Sequence, residues 1–471
     1  MSEIIYSSAA QLAAAIRSKK LSSVEVVEAF LKRIDEVNPE INAVVYSLAD
    51  SARKQAREAD AALARGEVKG PLHGVPFTIK DAWETAGVPS TGGTLGRKNY
   101  KPEIDATVVA RLKASGAIPI GMTNLPELSM AFESDNLVHG RTNNPYDLSR
   151  TPGGSGGGGS AIIAAGGSPL EPGADMGGSI RLPAHFAGIA GIKPTKGLVP
   201  LTGYFPTGLG MAGIFATAGP MARYVEDLTY TLPILAGPDG IDPHMAPVPL
   251  RDPKAVSIKG LRVAMHTDNG IYPAEPATAQ TVRNAAKALA DAGAIVEEAR
   301  PAGIERCMEL FTGIVFSDGG EGLRMLLKMC GTTRVHPILE SSLNGFPMKT
   351  GAELAGLLYQ LDVYRSTMLQ WFRNSDVILC PTNALPAVPH GTAMRSETLP
   401  AFSYTVAFNA TGWPGAVVRC GTSAEGLPIG VQAVAHPWRD DVALAVVQHL
   451  ETALGGYQRP QIAVRQQSAA G

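Results

Sequence analysis

Along the first 65 residues, apolar positions recur at the spacing of one helix face, with polar and charged residues between them. A short helix is expected over 8–17. Ser22-x-x-Glu25 reads as a capping box. It opens a second helix to about Val37, with Val27, Leu31 and Ile34 on one face and Pro39 as its stop. A third helix spans about Leu48 to Arg65. From Val75 the pattern changes. VPFTI is a short β run that ends on Lys80, and a glycine-rich loop follows it. Residues 106–115 read as helix, 116–128 as strand and loop, and 129–150 as loop. After Ser160, AIIAAG begins a helix, and AHFAGIAGIKPT reads as small-residue packing followed by a strand. GPMARYVEDLTYTLPILAG reads as a helix with Val225, Leu228, Leu232 and Leu235 on one side. Beyond a proline-rich connector at 240–260, LRVAMH, AIVEEA and DVILCPT read as strands. TAQTVRNAAKALADAG and the closing DDVALAVVQHLETAL read as helices. This alternation shows no internal repeat and no break in composition. The expected fold is a single large α/β domain over 1–471, a mixed central sheet covered by helices on both faces. Residues 1–65 would pack onto it, and its core would lie at about 70–230.

Composition narrows the function. The 471 residues carry a net charge of −2, with 18% charged and scattered lysines and arginines. Nucleic acid is therefore not an expected partner, because neutralising phosphates needs a basic face. Cys307, Cys330, Cys380 and Cys420 form no C-x-x-C pair and read as buried free thiols. The nine histidines contain no H-E-x-x-H, so neither a metal nor a cofactor is expected. The uncharged run 197–222 is long enough to span a bilayer. It carries six glycines and three prolines, so it reads as buried, loop-like strand structure around a pocket, not a membrane helix. The N-terminus lacks the features of a signal peptide, and a cytoplasmic location is expected.

Residues 150–200 hold 14 of the 52 glycines and two serines in tight glycine settings, Gly-Gly-Ser155-Gly-Gly and Asp-Met-Gly-Gly-Ser179. Glycine lets backbone approach a ligand closely, and successive N–H groups can converge on an anion. Three other readings fit less well. GGGGS at 156–160 resembles a linker, but further glycines and a second serine nest follow it. G-x-G-x-x-G at 154–159 lacks the preceding strand that a dinucleotide fingerprint needs. G-x-S-x-G at 153–157 lacks that strand as well, so a nucleophile elbow is disfavoured.

GVPFTIKD, the two serine nests, GGSIRLPAHFAGIAGIKPT, GPMARYVEDL, VILCPT and FNATGWPGAVVRCGTSAEGLPIGVQAVA together resemble the amidase signature family over roughly 10–455. The resemblance implies a Ser–cis-Ser–Lys triad. Ser179 would be the nucleophile. Ser155, after a cis peptide at Gly154–Ser155, would pass protons to and from Lys80, the general base. The N–H groups of Met176, Gly177, Gly178 and Ser179 would form the oxyanion hole, and Ser129 would contact substrate through its main chain. The chemistry is consistent: a serine hydroxyl needs an adjacent base, and a lysine is a base only when neutral, which apolar burial favours. Asp175 and Arg181 are expected to pair or hold loop backbone, and His185 to be packing.

Two departures stand out. Gly156 replaces a more usual serine, and Gly159 a more usual polar residue, which predicts a loosened nest. Tyr204, Phe205, Leu209, Met211 and Phe215, with Met130 and Phe132, are expected as an apolar pocket wall. That wall suits amides with apolar or aryl groups, anilides, or carbamates (urethanes). Two alternatives stay open: the glutaminase subunit of a tRNA-dependent amidotransferase, and a catalytically impaired scaffold. A homodimer is also left open.

Overall fold

The capping box at Ser22 closes as read. Ser22 Oγ accepts from the Glu25 N–H at 3.1 Å, and Glu25 Oε2 accepts from the Ser22 N–H at 2.8 Å. In this computed structural model, which describes residues 2–206 and 210–462, the helix runs Ser23–Ile41 and does not stop at Pro39. Buried Val37 and Ile41 hold the last turn against the core, and the proline removes only one N–H there. The true stop is Asn42, left-handed at φ 47°. The flanking helices Ala9–Arg17 and Ala49–Ala64 lie where the periodicity places them.

A three-stranded sheet follows, ordered β1-β3-β2, from β1 (Val44–Ser47), β2 (Pro76–Lys80) and β3 (Ile118–Thr123). β2 runs parallel to β3, and β1 antiparallel to it. β4 (Asp135–Asn136) and β5 (Gly140–Arg141) form a short antiparallel ribbon within the expected loop. The main sheet comprises β6 (Leu170–Asp175), β7 (Ala190–Lys193), β8 (Thr217–Ala222), β9 (Arg262–Met265), β10 (Ile295–Glu298), β11 (Val377–Pro381), β12 (Gly415–Thr422) and β13 (Pro428–Ala435). Its order is β10-β9-β11-β13-β12-β7-β8-β6. The β10-β9-β11 edge is parallel and the rest antiparallel. Helices flank this mixed sheet. One apolar core runs from Ile5 and Leu12 in the first helices to Leu450 in the last.

Several boundaries differ from the pattern reading. GPMA ends β8, and the helix begins only at Val225, because backbone pairing with β6 and β7 extends the strand as far as Ala222. Within AHFAG, His185 belongs to a short helix, Arg181–Phe186. The helix expected after Ser160 starts at Gly157. Residues 156–160 are therefore a buried helix start, not a linker. No helix among the described residues is long and apolar enough to cross a membrane. Cys307, Cys380 and Cys420 are buried free thiols, while Cys330 is half-exposed.

Candidate active site

β2 lies against β6, and this juxtaposition brings the lysine to the serines. Lys80 is fully buried at the end of β2. Its Nζ donates to Ser155 Oγ at 2.7 Å and to the Tyr204 hydroxyl at 2.8 Å. Ser155 follows a cis Gly154–Ser155 peptide and leads into the helix Gly157–Ala164. Ser179 sits in the turn after β6. The Gly156 N–H donates to the Ser179 carbonyl at 3.1 Å, tying the two serine turns together. Among the described residues Ser179 Oγ has no hydrogen-bond partner, and its side chain lines two cavities.

The two unusual glycines are filled positions, not loose ones. A Cβ at Gly156 would stand 2.7 Å from the Ser179 carbonyl oxygen, so the close backbone approach requires glycine. A Cβ at Gly159 would fall on the carboxylate of Glu171, which reaches in from β6. Both Glu171 oxygens accept from Thr123 Oγ1 at 3.0 Å. Burial pushes the Glu171 carboxyl up to about 7, against the opposing pull of the Thr78 and Thr123 hydroxyls and the Lys80 charge. Every residue from 151 to 175 is buried. The missing side chain at 159 is visible in the sequence; the acid at 171 that takes its place is not connected to it there. A lone glutamate in the apolar run SPLEPGAD is the available signal.

Asp175 both pairs and holds backbone. It accepts from Arg181 Nε and Nη2 at 3.0 Å, from Asn409 Nδ2 at 2.9 Å and from the Gly178 N–H at 2.8 Å. Burial would raise its carboxyl, but the Arg181 charge and these hydrogen bonds prevail and hold it at about 2. The Gly178 N–H is thus already donated and does not join the expected oxyanion donors. The N–H groups of Met176, Gly177 and Ser179 have no acceptor among the described residues. His185 lines neither cavity beside Ser179. Its Nδ1 accepts from the Gly430 N–H at 2.7 Å, and burial pushes the imidazole down to about 4.

Of the expected pocket wall, Tyr204 and Met211 line a cavity of about 370 Å³ together with Ser155, Ser129, Met130 and Ser179. Phe132 lines a second cavity of about 800 Å³ with Phe311, Phe316, Phe346, Met394 and Gly177. Ser129, Met130, Met176, Ser179 and Phe316 border both. Phe205 lines neither cavity; its ring covers the Arg97 guanidinium at 3.8 Å. Phe215 is buried against Phe311. Leu209 lies outside the described residues.

The end of β2 and the turn after β6, from two different sheets, thus bring a buried lysine and two serines together beside two cavities that meet at Ser179. The chain belongs to the amidase signature family, whose Amidase profile matches residues 25–444, and it is an amidase. It is similar to fatty-acid amide hydrolase 2 from Homo sapiens, 34% identical over 96% of this chain and 89% of that protein. It is also similar to one subunit of the glutamyl-tRNA(Gln) amidotransferase from Carboxydothermus hydrogenoformans, 33% identical over 95% of this chain and 97% of that protein. The solved structure of 6-aminohexanoate cyclic dimer hydrolase with its substrate superposes with a TM-score of 0.87 at 30% identity, covering 97% of this chain and 99% of that one.

Proposed function

We propose that Ser179 is the nucleophile, Ser155 the proton bridge and Lys80 the general base of a two-step amide hydrolysis. The observation that carries this reading is the 2.7 Å Lys80–Ser155 contact beside a Ser179 hydroxyl that has no partner among the described residues. Ser179 Oγ attacks the carbonyl carbon while its proton passes to Ser155 and that of Ser155 to the Lys80 amine. The oxyanion is held by the free N–H groups of Met176, Gly177 and Ser179. Collapse expels the amine, protonated through Ser155, and leaves an ester on Ser179. Water, deprotonated by the same relay, then releases the acid.

The relay also orients the substrate. The leaving nitrogen must face Ser155, which borders the smaller cavity. The acyl group therefore points into the larger, phenylalanine-lined one. The substrate class is an amide with an apolar or aryl acyl group and a compact amine. Anilides and carbamates (urethanes) are its nearest variants. A glutaminase would need charged partners for both ends of the amino acid, and the charged side chains in these walls are few and partly engaged. Asp318 accepts from the Gly320 and Gly322 N–H groups, and Arg395 Nε donates to the Gly391 carbonyl.

The test is labelling with a fluorophosphonate followed by intact mass and peptide mapping. A single adduct on Ser179, absent in Lys80→Ala, is expected. An adduct on Ser155, or none, overturns the assignment. Hydrolysis of acyl anilides measured against ammonia release from glutamine separates the substrate classes.

A further inference from the structure

We infer that Tyr204, held by Ser129, is a positioning residue for Lys80. The inference rests on the Ser179–Ser155–Lys80 reading above. Lys80 Nζ has two partners among the described residues, Ser155 Oγ at 2.7 Å and the Tyr204 hydroxyl at 2.8 Å. That hydroxyl in turn donates to Ser129 Oγ at 2.9 Å. Its proton is thus turned away from the lysine, and its oxygen accepts an N–H from Nζ.

The consequence follows from the donor inventory of an amine. A charged ammonium has three N–H donors; the neutral amine has two and one lone pair. With one N–H held on Tyr204, an unprotonated amine keeps one N–H and its lone pair for the Ser155 side, where the lone pair can turn to accept the proton.

The support is rigidly built. The Tyr204 ring meets the buried Trp83 edge-on, with centroids 4.7 Å apart. Trp83 Nε1 donates to the Pro172 carbonyl in β6 at 2.8 Å. The chain on either side of Tyr204 is tied to β2's extension: the Glu84 N–H donates to the Gly203 carbonyl at 2.9 Å, and the Phe205 N–H to the Ala82 carbonyl at 2.8 Å. Ser129 sits in a turn where Leu128 and Ser129 both take left-handed φ, 54° and 59°. That conformation is unfavourable for side-chain-bearing residues and is kept where the surroundings impose it.

Tyr204→Phe keeps the ring and deletes the oxygen. On an acyl anilide, kcat should fall about 10- to 100-fold while KM stays within about twofold. The matching ester should lose less, because its leaving group needs less proton help. Ser129→Ala should give a smaller loss in the same direction and add nothing further in the Tyr204→Phe background. Fluorophosphonate labelling separates the two readings. If the unaltered protein gives no Ser179 adduct, the triad reading itself is wrong. If it gives one that Lys80→Ala abolishes, while Tyr204→Phe turns over anilides at the parental kcat, the inference about Tyr204 is overturned. A rise in KM with equal loss on amide and ester would overturn it too, because that marks a pocket wall.

Discussion

Replacing Gly159 with alanine measures how firmly the Glu171 carboxylate is seated between β6 and the first turn of the helix Gly157–Ala164. At an exposed helical site the change would stabilise by about 0.8–1 kcal/mol through propensity alone. Here the new methyl falls on Glu171 Oε1, and Oε2 is 2.8 Å away. The carboxylate has no open space to retreat into, since the neighbouring residues are buried. Overpacking a filled site costs about 1–3 kcal/mol. If the carboxyl is pushed off Thr123, that hydrogen bond is lost as well, worth about 0.5–1.5 kcal/mol. Set against the propensity gain, the net expectation is a loss of roughly 2 kcal/mol. The assay is the thermal midpoint of Gly159→Ala, Glu171→Gly, the double variant Gly159→Glu/Glu171→Gly, and its singles. The double variant moves the carboxylate back onto the helix and should recover much of what each single loses. Independent sites would add within about 0.5 kcal/mol. A Gly159→Ala protein more stable than the parent, or strictly additive singles, would show that the Glu171 carboxylate does not fill the space at 159.

Because the Glu171 carboxyl is pushed up to about 7 from 4.5, the folded chain keeps a proton that the unfolded chain releases. Its contribution to stability is therefore fully present below pH 4.5 and lost as pH rises toward 7, by at most about 3 kcal/mol. Glu171→Gln should flatten the decline of the unfolding midpoint across that window; an unchanged slope would exclude this carboxyl as its source. Gly156→Ser should lower anilide turnover at least about tenfold, because the side chain collides with the Ser179 carbonyl; a gain in kcat would show that the turn has room. Asp175→Asn leaves the buried Arg181 without a counter-charge and should cost about 3–5 kcal/mol, read as a fall in soluble yield and midpoint. Lys80→Ala should cut hydrolysis of amides far more than that of activated esters, and equal losses would argue against its donating the proton to the leaving amine.

What could be read from the chain was what one segment settles by itself. The capping box at Ser22, the apolar face of Val225, Leu228, Leu232 and Leu235, and Lys80 at the end of a buried run depend on neighbours within a few residues. All stand in the structure where the pattern places them. Pro39 misled because its cost is local while the burial of Val37 and Ile41 that outweighs it is tertiary. The boundary at Ala222 misled for the same reason, since GPMA is fixed by pairing with the strands that begin at Ala190 and Leu170. The site shows the limit most sharply. Gly156 and Gly159 were visible as side chains missing from a pattern, and a missing side chain in isolation reads as slack. Slack is only one way a glycine can arise; the other is that something else already occupies the space. The Ser179 carbonyl does so at 156 and the Glu171 carboxylate at 159, each from a different turn of chain. Tyr204 was legible as aromatic bulk on a pocket wall, but not as a hydroxyl on the lysine, because that contact needs β2 and the 200s loop brought together. A departure from a family pattern is therefore a question about which distant atom has moved in, and only the packed structure names that atom.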